Sequence, residues 1–144
     1  MRNSDNNISR RKFIKSSTIA GIAITLPLKA FSSISEKNPV HFGLIADVHK
    51  DVMHDADERL QTFITSANKK DLDFVLQLGD FCRPYDYNKP FLNIFDSYEG
   101  EKYHVLGNHD TDGGFTQEQV KAFWNMPSNY YSFDKKGVHF IVLD

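Results

Sequence analysis

The chain has 144 residues, 40% of them hydrophobic and 13% aromatic, which gives room for one globular domain or part of a larger one. Its net charge of −2 is uneven: six of the 17 Lys and Arg but only one of the 19 acids fall in residues 1–30, so that segment carries +5 and the remainder −7. The acidic remainder argues against nucleic-acid binding by phosphate neutralisation, the single cysteine (Cys82) rules out an intrachain disulfide, and no run of 18 apolar residues predicts an ordinary transmembrane helix.

Residues 1–30 read as an export signal. Ser9-Arg10-Arg11-Lys12-Phe13-Ile14-Lys15 resembles the twin-arginine translocation signature, and a mild apolar stretch, Thr18 to Leu28, follows it. Leu28-Lys29-Ala30 is an imperfect cleavage site. The expectation is export of a folded protein by the twin-arginine translocation machinery, to the periplasm or the extracellular space. If the leader stays uncleaved, it holds the protein at the membrane; no transmembrane domain is expected beyond it. The alternative for this segment is a basic amphipathic helix. Residues 31–38 form a polar linker, and residues 39–144 form the domain.

Val40 to Ile45 reads as the first buried strand. Leu60, Phe63, Ile64 and Ala67 recur at helical spacing, predicting a helix from Ala56 to Lys69, with Lys69 and Lys70 suited to its C-terminal end. Phe74 to Leu78 is the second strand. A loop follows with Pro84 and Pro90 as breakers, then a helical stripe of Phe91, Ile94, Phe95 and Tyr98 with Gly100 as C-cap. Tyr103 to Leu106 is the third strand. Thr116 and Gln119 have capping-box spacing before a short helix carrying Val120, Phe123 and Trp124. Tyr130 to Phe133 and Val138 to Leu143 predict a hairpin turning at residues 134–137. Alternation of this kind predicts an α/β sheet with helices packed over it.

Three strand ends carry oxygen and nitrogen ligands: Asp47-Val48-His49, Gly79-Asp80 and Gly107-Asn108-His109-Asp110. In open α/β sheets, sites lie outside the carboxyl ends of strands. Residues i and i+2 of an extended chain point the same way, so Asp47 and His49 can reach one ion. Asp80, with two carboxylate oxygens, can bridge two cations, and Asn108 offers a neutral amide oxygen. Three such strand ends in order point to a two-metal hydrolytic site. His41, His54, His104 and His139 are not expected to be ligands. Cys82 reads as a small buried thiol, and Asp51, Asp55, Asp57 and Glu58 as a solvated loop and helix start. Arg83 stands open between holding a substrate phosphate and simple solvation.

Asp-x-His, Gly-Asp and Gly-Asn-His-Asp, separated by 33 and 28 residues, resemble the opening motifs of the calcineurin-like metallophosphoesterases. The resemblance covers residues 39–144. It implies a partial four-layer α/β/β/α sandwich: the first β-α-β-α-β half of the sheet and its helices. It implies that Asp47 and His49 bind the first metal, Asp80 bridges, and Asn108 binds the second metal and contacts substrate. It further implies that His109 binds the phosphoryl oxygens or protonates the leaving group, and that Asp110 orients His109. The implied cofactor is a pair of divalent or mixed-valence ions (Fe, Mn or Zn). The implied reaction is hydrolysis of a phosphate-ester substrate, mono- or diester, by a metal-activated water. The purple-acid-phosphatase subtype is disfavoured, because Arg83 stands where it would place tyrosine. The family's later Gly-His and Gly-His-x-His motifs do not occur here, which leaves a second expectation: a truncated, non-catalytic metal-binding fragment.

Overall fold

The computed structural model describes residues 39–143; Arg10, Arg11, the remainder of the leader and the linker lie outside the described residues. Strands β1 (Phe42–Ile45), β2 (Phe74–Gln77) and β3 (Glu101–His104) form a parallel sheet in the order β1-β2-β3. Helix α1 (Ala56–Ala67) connects β1 to β2, and α2 (Lys89–Asp96) connects β2 to β3. Parallel neighbours need such crossovers, and their constant right-handed sense puts successive helices on one face of a sheet built in sequential order. Asn68, ending α1, accordingly meets the end of α2: its amide donates to the Ser97 carbonyl at 3.2 Å and its oxygen accepts the Glu99 N–H at 3.2 Å.

Strand register decides what each face carries. Phe42 pairs with Phe74 and Leu76 with Tyr103, so these share one face, while Val75, Gln77 and His104 share the other. The helix-side face joins a core with Leu60 and Ile64 of α1, Phe91 and Phe95 of α2, and Val120 and Trp124 of α3 (Gln117–Trp124). An antiparallel hairpin, β4 (Tyr131–Lys135) and β5 (Val138–Val142), packs on the opposite face over β2 and β3, while Phe42 and Leu44 of β1 stay 41% and 49% exposed, so the first strand is not the buried one expected. Phe133 and Phe140 lie 5.2 and 5.1 Å from Phe74, and Phe133 stacks on Tyr103 at 3.7 Å. The Tyr131 hydroxyl donates to the His104 carbonyl at 2.7 Å and accepts its N–H at 3.0 Å, which occupies the outer edge of β3. Helices, parallel sheet and hairpin therefore succeed one another as layers, consistent with the expected partial α/β/β/α arrangement.

The boundaries differ from expectation in instructive ways. β3 lies two residues earlier than expected, and only the Val105 N–H, bonded to the Gln77 carbonyl at 2.9 Å, extends its pairing. The third motif thus stands on a short arm beyond the strand. α1 ends before Lys69 and Lys70. Ser97, not Gly100, caps α2; a Cβ at Gly100 would sit 2.7 Å from the Tyr98 ring, so that glycine is there for room. Pro90 lies in the first turn of α2, where its missing N–H costs nothing, and does not break the chain. The capping box forms as expected, with Thr116 Oγ1 accepting the Gln119 N–H and Gln119 Oε1 accepting the Thr116 N–H. The hairpin turn tightens to Lys136 and Gly137, both at positive φ (50° and 78°), the twist that favours two-residue hairpin loops.

Candidate functional site

Beyond the strand ends the first two chains keep running side by side. The Leu78 N–H bonds to the Ile45 carbonyl at 2.9 Å, the Asp47 N–H to the Gly79 carbonyl at 3.3 Å, and the His49 N–H to the Asp80 carbonyl at 2.8 Å. The backbone there is not extended, however. Asp47, His49 and Asp80 adopt φ of 54°, 50° and 51°, in the left-handed region. The expectation that strand alternation alone brings Asp47 and His49 together is thereby corrected: two left-handed residues bring their ligand atoms together, with the Asp47 side chain still largely exposed. Each such non-glycine residue costs on the order of 1 kcal/mol, and strain of this kind collects at functional sites.

The result is a compact donor set. One ligand atom from each of Asp47, His49 and Asp80 lies within 4.8 Å of the others. His49 Nε2 is 3.8 Å from Asp47 Oδ1 and 3.6 Å from Asp80 Oδ2. One imidazole nitrogen with carboxylate oxygens is the chemistry that suits Fe, Mn or Zn, so these residues fit the metal that the motifs imply.

The third motif docks onto the second by direct backbone contact. A Cβ on Gly79 would lie 2.7 Å from the Gly107 Cα, and one on Gly107 only 2.3 Å from the Asp80 N and Oδ1. Side chains at either position would push the two loops apart. Asn108 opens a 3₁₀ turn, Asn108–Thr111, and is exposed beside His109. The His109 N–H donates to Asp80 Oδ1 at 3.0 Å, and its ring lies 5.5 Å from that of His49. Asn108 and His109 are thus held next to the donor set.

Asp110 does not orient His109. Its buried carboxylate accepts three main-chain N–H groups, from Asp80 (2.9 Å), Phe81 (2.7 Å) and Gly107 (2.8 Å). Burial pushes its pKa up to about 6, against those three donors. The carboxylate that meets His109 is Asp112, one turn on, 2.9 Å from Nδ1. That hydrogen bond holds the His109 imidazole above its ordinary range and Asp112 below the usual carboxylate range. Asp112 also meets the Arg83 guanidinium at 3.3 Å. The reason is geometric: a 3₁₀ turn brings residues i and i+3 into line, whereas adjacent side chains diverge.

Asp51, expected in a solvated loop, instead organises the opposite wall. It accepts the Arg83 N–H and the Asn88 amide, each at 2.8 Å, and the Tyr87 hydroxyl at 3.3 Å. The sequence signal for Asp112 was its i+3 spacing from His109; Asp51 had none, because its partners lie more than 30 residues away. Of the histidines set aside, His41, His54 and His139 are exposed, and His104 is a core residue stacked on Trp124. Cys82 is buried, and burial raises its thiol pKa. Among the described residues no helix is long and apolar enough to cross a membrane.

The sequence matches the family model described as calcineurin-like phosphoesterase over residues 40–142. No curated protein matches it. Among solved structures it is similar to a dimetal phosphatase from Danio rerio, at 19% identity and a TM-score of 0.46, covering 58% of this chain and 33% of that one. It is also similar to a protein of unknown function from Aquifex aeolicus, at 24% identity and a TM-score of 0.43, covering 73% of this chain and 60% of that one. The chain therefore spans about a third and three-fifths of these proteins' lengths.

Proposed function

Since the chain belongs to the calcineurin-like phosphoesterase family, we propose that it is an exported, metal-dependent phosphoesterase acting on phosphomonoesters or phosphodiesters. The observation that carries this reading is the convergence of Asp47, His49 and Asp80 at the carboxyl ends of β1 and β2. A pair of bound ions supplies a water acidified toward neutral pH and positive charge for the phosphoryl oxygens.

The chain's own residues supply the rest. Asp47 and His49 would hold one ion. Asp80 faces His49 through Oδ2 and anchors the His109 N–H through Oδ1, so it would be shared by the metal ligands and the phosphoryl-facing loop. Asn108 would offer a second ion a neutral oxygen. His109 has its Nδ1 taken by Asp112, so Nε2 is the atom left to carry a proton to the leaving oxygen. Asp110 holds the loops that present these groups. Export rests on Arg10 and Arg11 within the leader, and places the activity in the periplasm or outside the cell.

One observation favours a second reading, a metal-binding chain without hydrolysis: the three gathered side chains are a ligand set for one ion. Metal stoichiometry of the purified chain, measured alongside hydrolysis of a chromogenic phosphodiester with Mn²⁺, separates the two. The phosphoesterase reading expects two ions per chain and turnover lost in Asp80→Ala. One ion without turnover overturns it.

A further inference from the structure

A cavity of about 380 Å³ opens directly beside His49, Asp80 and His109. Its other wall is apolar. Val52 and Met53 line it, and both are large hydrophobic side chains left 69% and 40% exposed. They are not loose: the N–H groups of both bond to the His49 carbonyl, at 2.9 and 2.8 Å. The candidate metal ligand and the apolar wall are therefore one rigid turn. Phe81 closes the floor, fully buried and packed against Phe91, Phe95 and Trp124.

The polar groups of the cavity are already engaged. Asp51 is bonded to Arg83, Asn88 and Tyr87; Asp110 accepts three backbone N–H groups. Asp112 binds His109 and Arg83, and that guanidinium is the one Lys or Arg charge on the lining. Arg83 is thus already paired with Asp112, and the lining holds no further Lys or Arg to receive a second anionic group on a ligand. What the cavity offers an incoming molecule is apolar surface next to the metal ligands.

We propose that this cavity receives the leaving group of the ester and selects an uncharged, apolar one, alkyl or aryl, over a leaving group bearing further phosphates or carboxylates. The assignment rests on the phosphoesterase reading and names its substrate class. Val52 and Met53 are the specificity-determining residues.

Two phosphonates that share a headgroup test it without turnover. Binding of methylphosphonate and phenylphosphonate to the full chain with Mn²⁺ is measured by calorimetry, after a titration with Mn²⁺ alone. Burial of the ring should make phenylphosphonate bind about tenfold tighter or more. In a chain carrying Val52→Asn and Met53→Gln, both at exposed positions, that ratio should fall below about threefold, since the apolar wall is gone. Equal affinity of the two phosphonates in the unaltered chain would overturn the apolar subsite and leave the metal centre standing. Failure of Mn²⁺ and of both phosphonates to bind would overturn the subsite together with the phosphoesterase reading.

Discussion

The carboxylate of Asp110 accepts the main-chain N–H of Asp80 at 2.9 Å across 30 residues of sequence. With its bonds to Phe81 and Gly107, it fastens the loop after β3 to the loop after β2. The candidate ligands Asp80 and Asn108 stand on those two loops, so a residue that touches no ion sets their separation.

Asp110→Ala should therefore lose both stability and metal. Three N–H donors lose their acceptor at a buried position, which costs about 3 kcal/mol or more. Loss of such a supporting group should weaken metal binding by about 10- to 100-fold. Urea unfolding and a Mn²⁺ titration check the two effects, and a variant with unchanged metal affinity would contradict this account.

Gly107→Ala tests the close approach of the same loops. The new methyl would stand 2.3 Å from the Asp80 N and Oδ1, so the loops must separate. Strain of this kind costs about 1–3 kcal/mol, and Asp80 should leave its position facing His49. A crystal structure of the variant, or its metal stoichiometry, decides the point.

Asp47→Gly should separate stability from function. Asp47 is exposed and held at φ 54°, a conformation glycine adopts freely. The glycine variant should be about 1 kcal/mol more stable than Asp47→Ala in metal-free buffer. Both should bind the first ion poorly. Thermal unfolding in EDTA, followed by metal titration, reads both halves of the expectation.

His104 should make the fold sensitive to acid. Burial, then the Lys102 charge, lowers its pKa from 6.5 to about 4. The unfolded chain binds the proton first, so stability is full above pH 6.5 and is lost as pH falls from 6.5 toward 4. The loss is about 3 kcal/mol. Asp110, with a raised pKa, acts in the opposite direction over nearly the same range, so the net curve is shallow. His104→Phe isolates the histidine. Phenylalanine can occupy the slot between Trp124 and Phe95, and the Gln77 amide keeps its bond to the Val105 carbonyl. The stability of the variant relative to the natural chain should rise by about 3 kcal/mol between pH 7 and pH 4. A constant difference across that range would refute the assignment.

Removing Asp112 should slow hydrolysis without releasing metal. In Asp112→Ala the imidazole of His109 loses the partner of its Nδ1 and the hydrogen bond that raises its pKa. The acid itself stays in place, so the fall in rate should lie within the factor of about 10²–10⁴ that a positioned general acid contributes. The decline should fall on kcat more than on KM, and the alkaline limb of the pH profile should move to lower pH. Asp112→Asn, which keeps a hydrogen bond to the ring, should recover part of the rate.

The strands, the helices and the three strand-end motifs were legible in the sequence because each is a local matter. Period-two and period-3.6 patterns announce which face is buried, and a capping box or a two-residue turn involves only neighbours in the chain. Asp47, His49, Asp80 and Asn108 could be named as candidate ligands from residue type and order alone. The tertiary structure decided the rest: that three candidate ligands sit on left-handed backbone, that Gly79 and Gly107 touch, that Asp110 braces loops while Asp112 meets His109, and that Asp51 holds the loop carrying Arg83. Each of these depends on which distant backbone N–H groups or side chains arrive beside a residue once the parallel sheet has aligned its strand ends. A hydrogen-bond partner or a steric limit 30 residues away leaves no periodic trace in the chain, and it exists only when β1, β2 and β3 lie side by side.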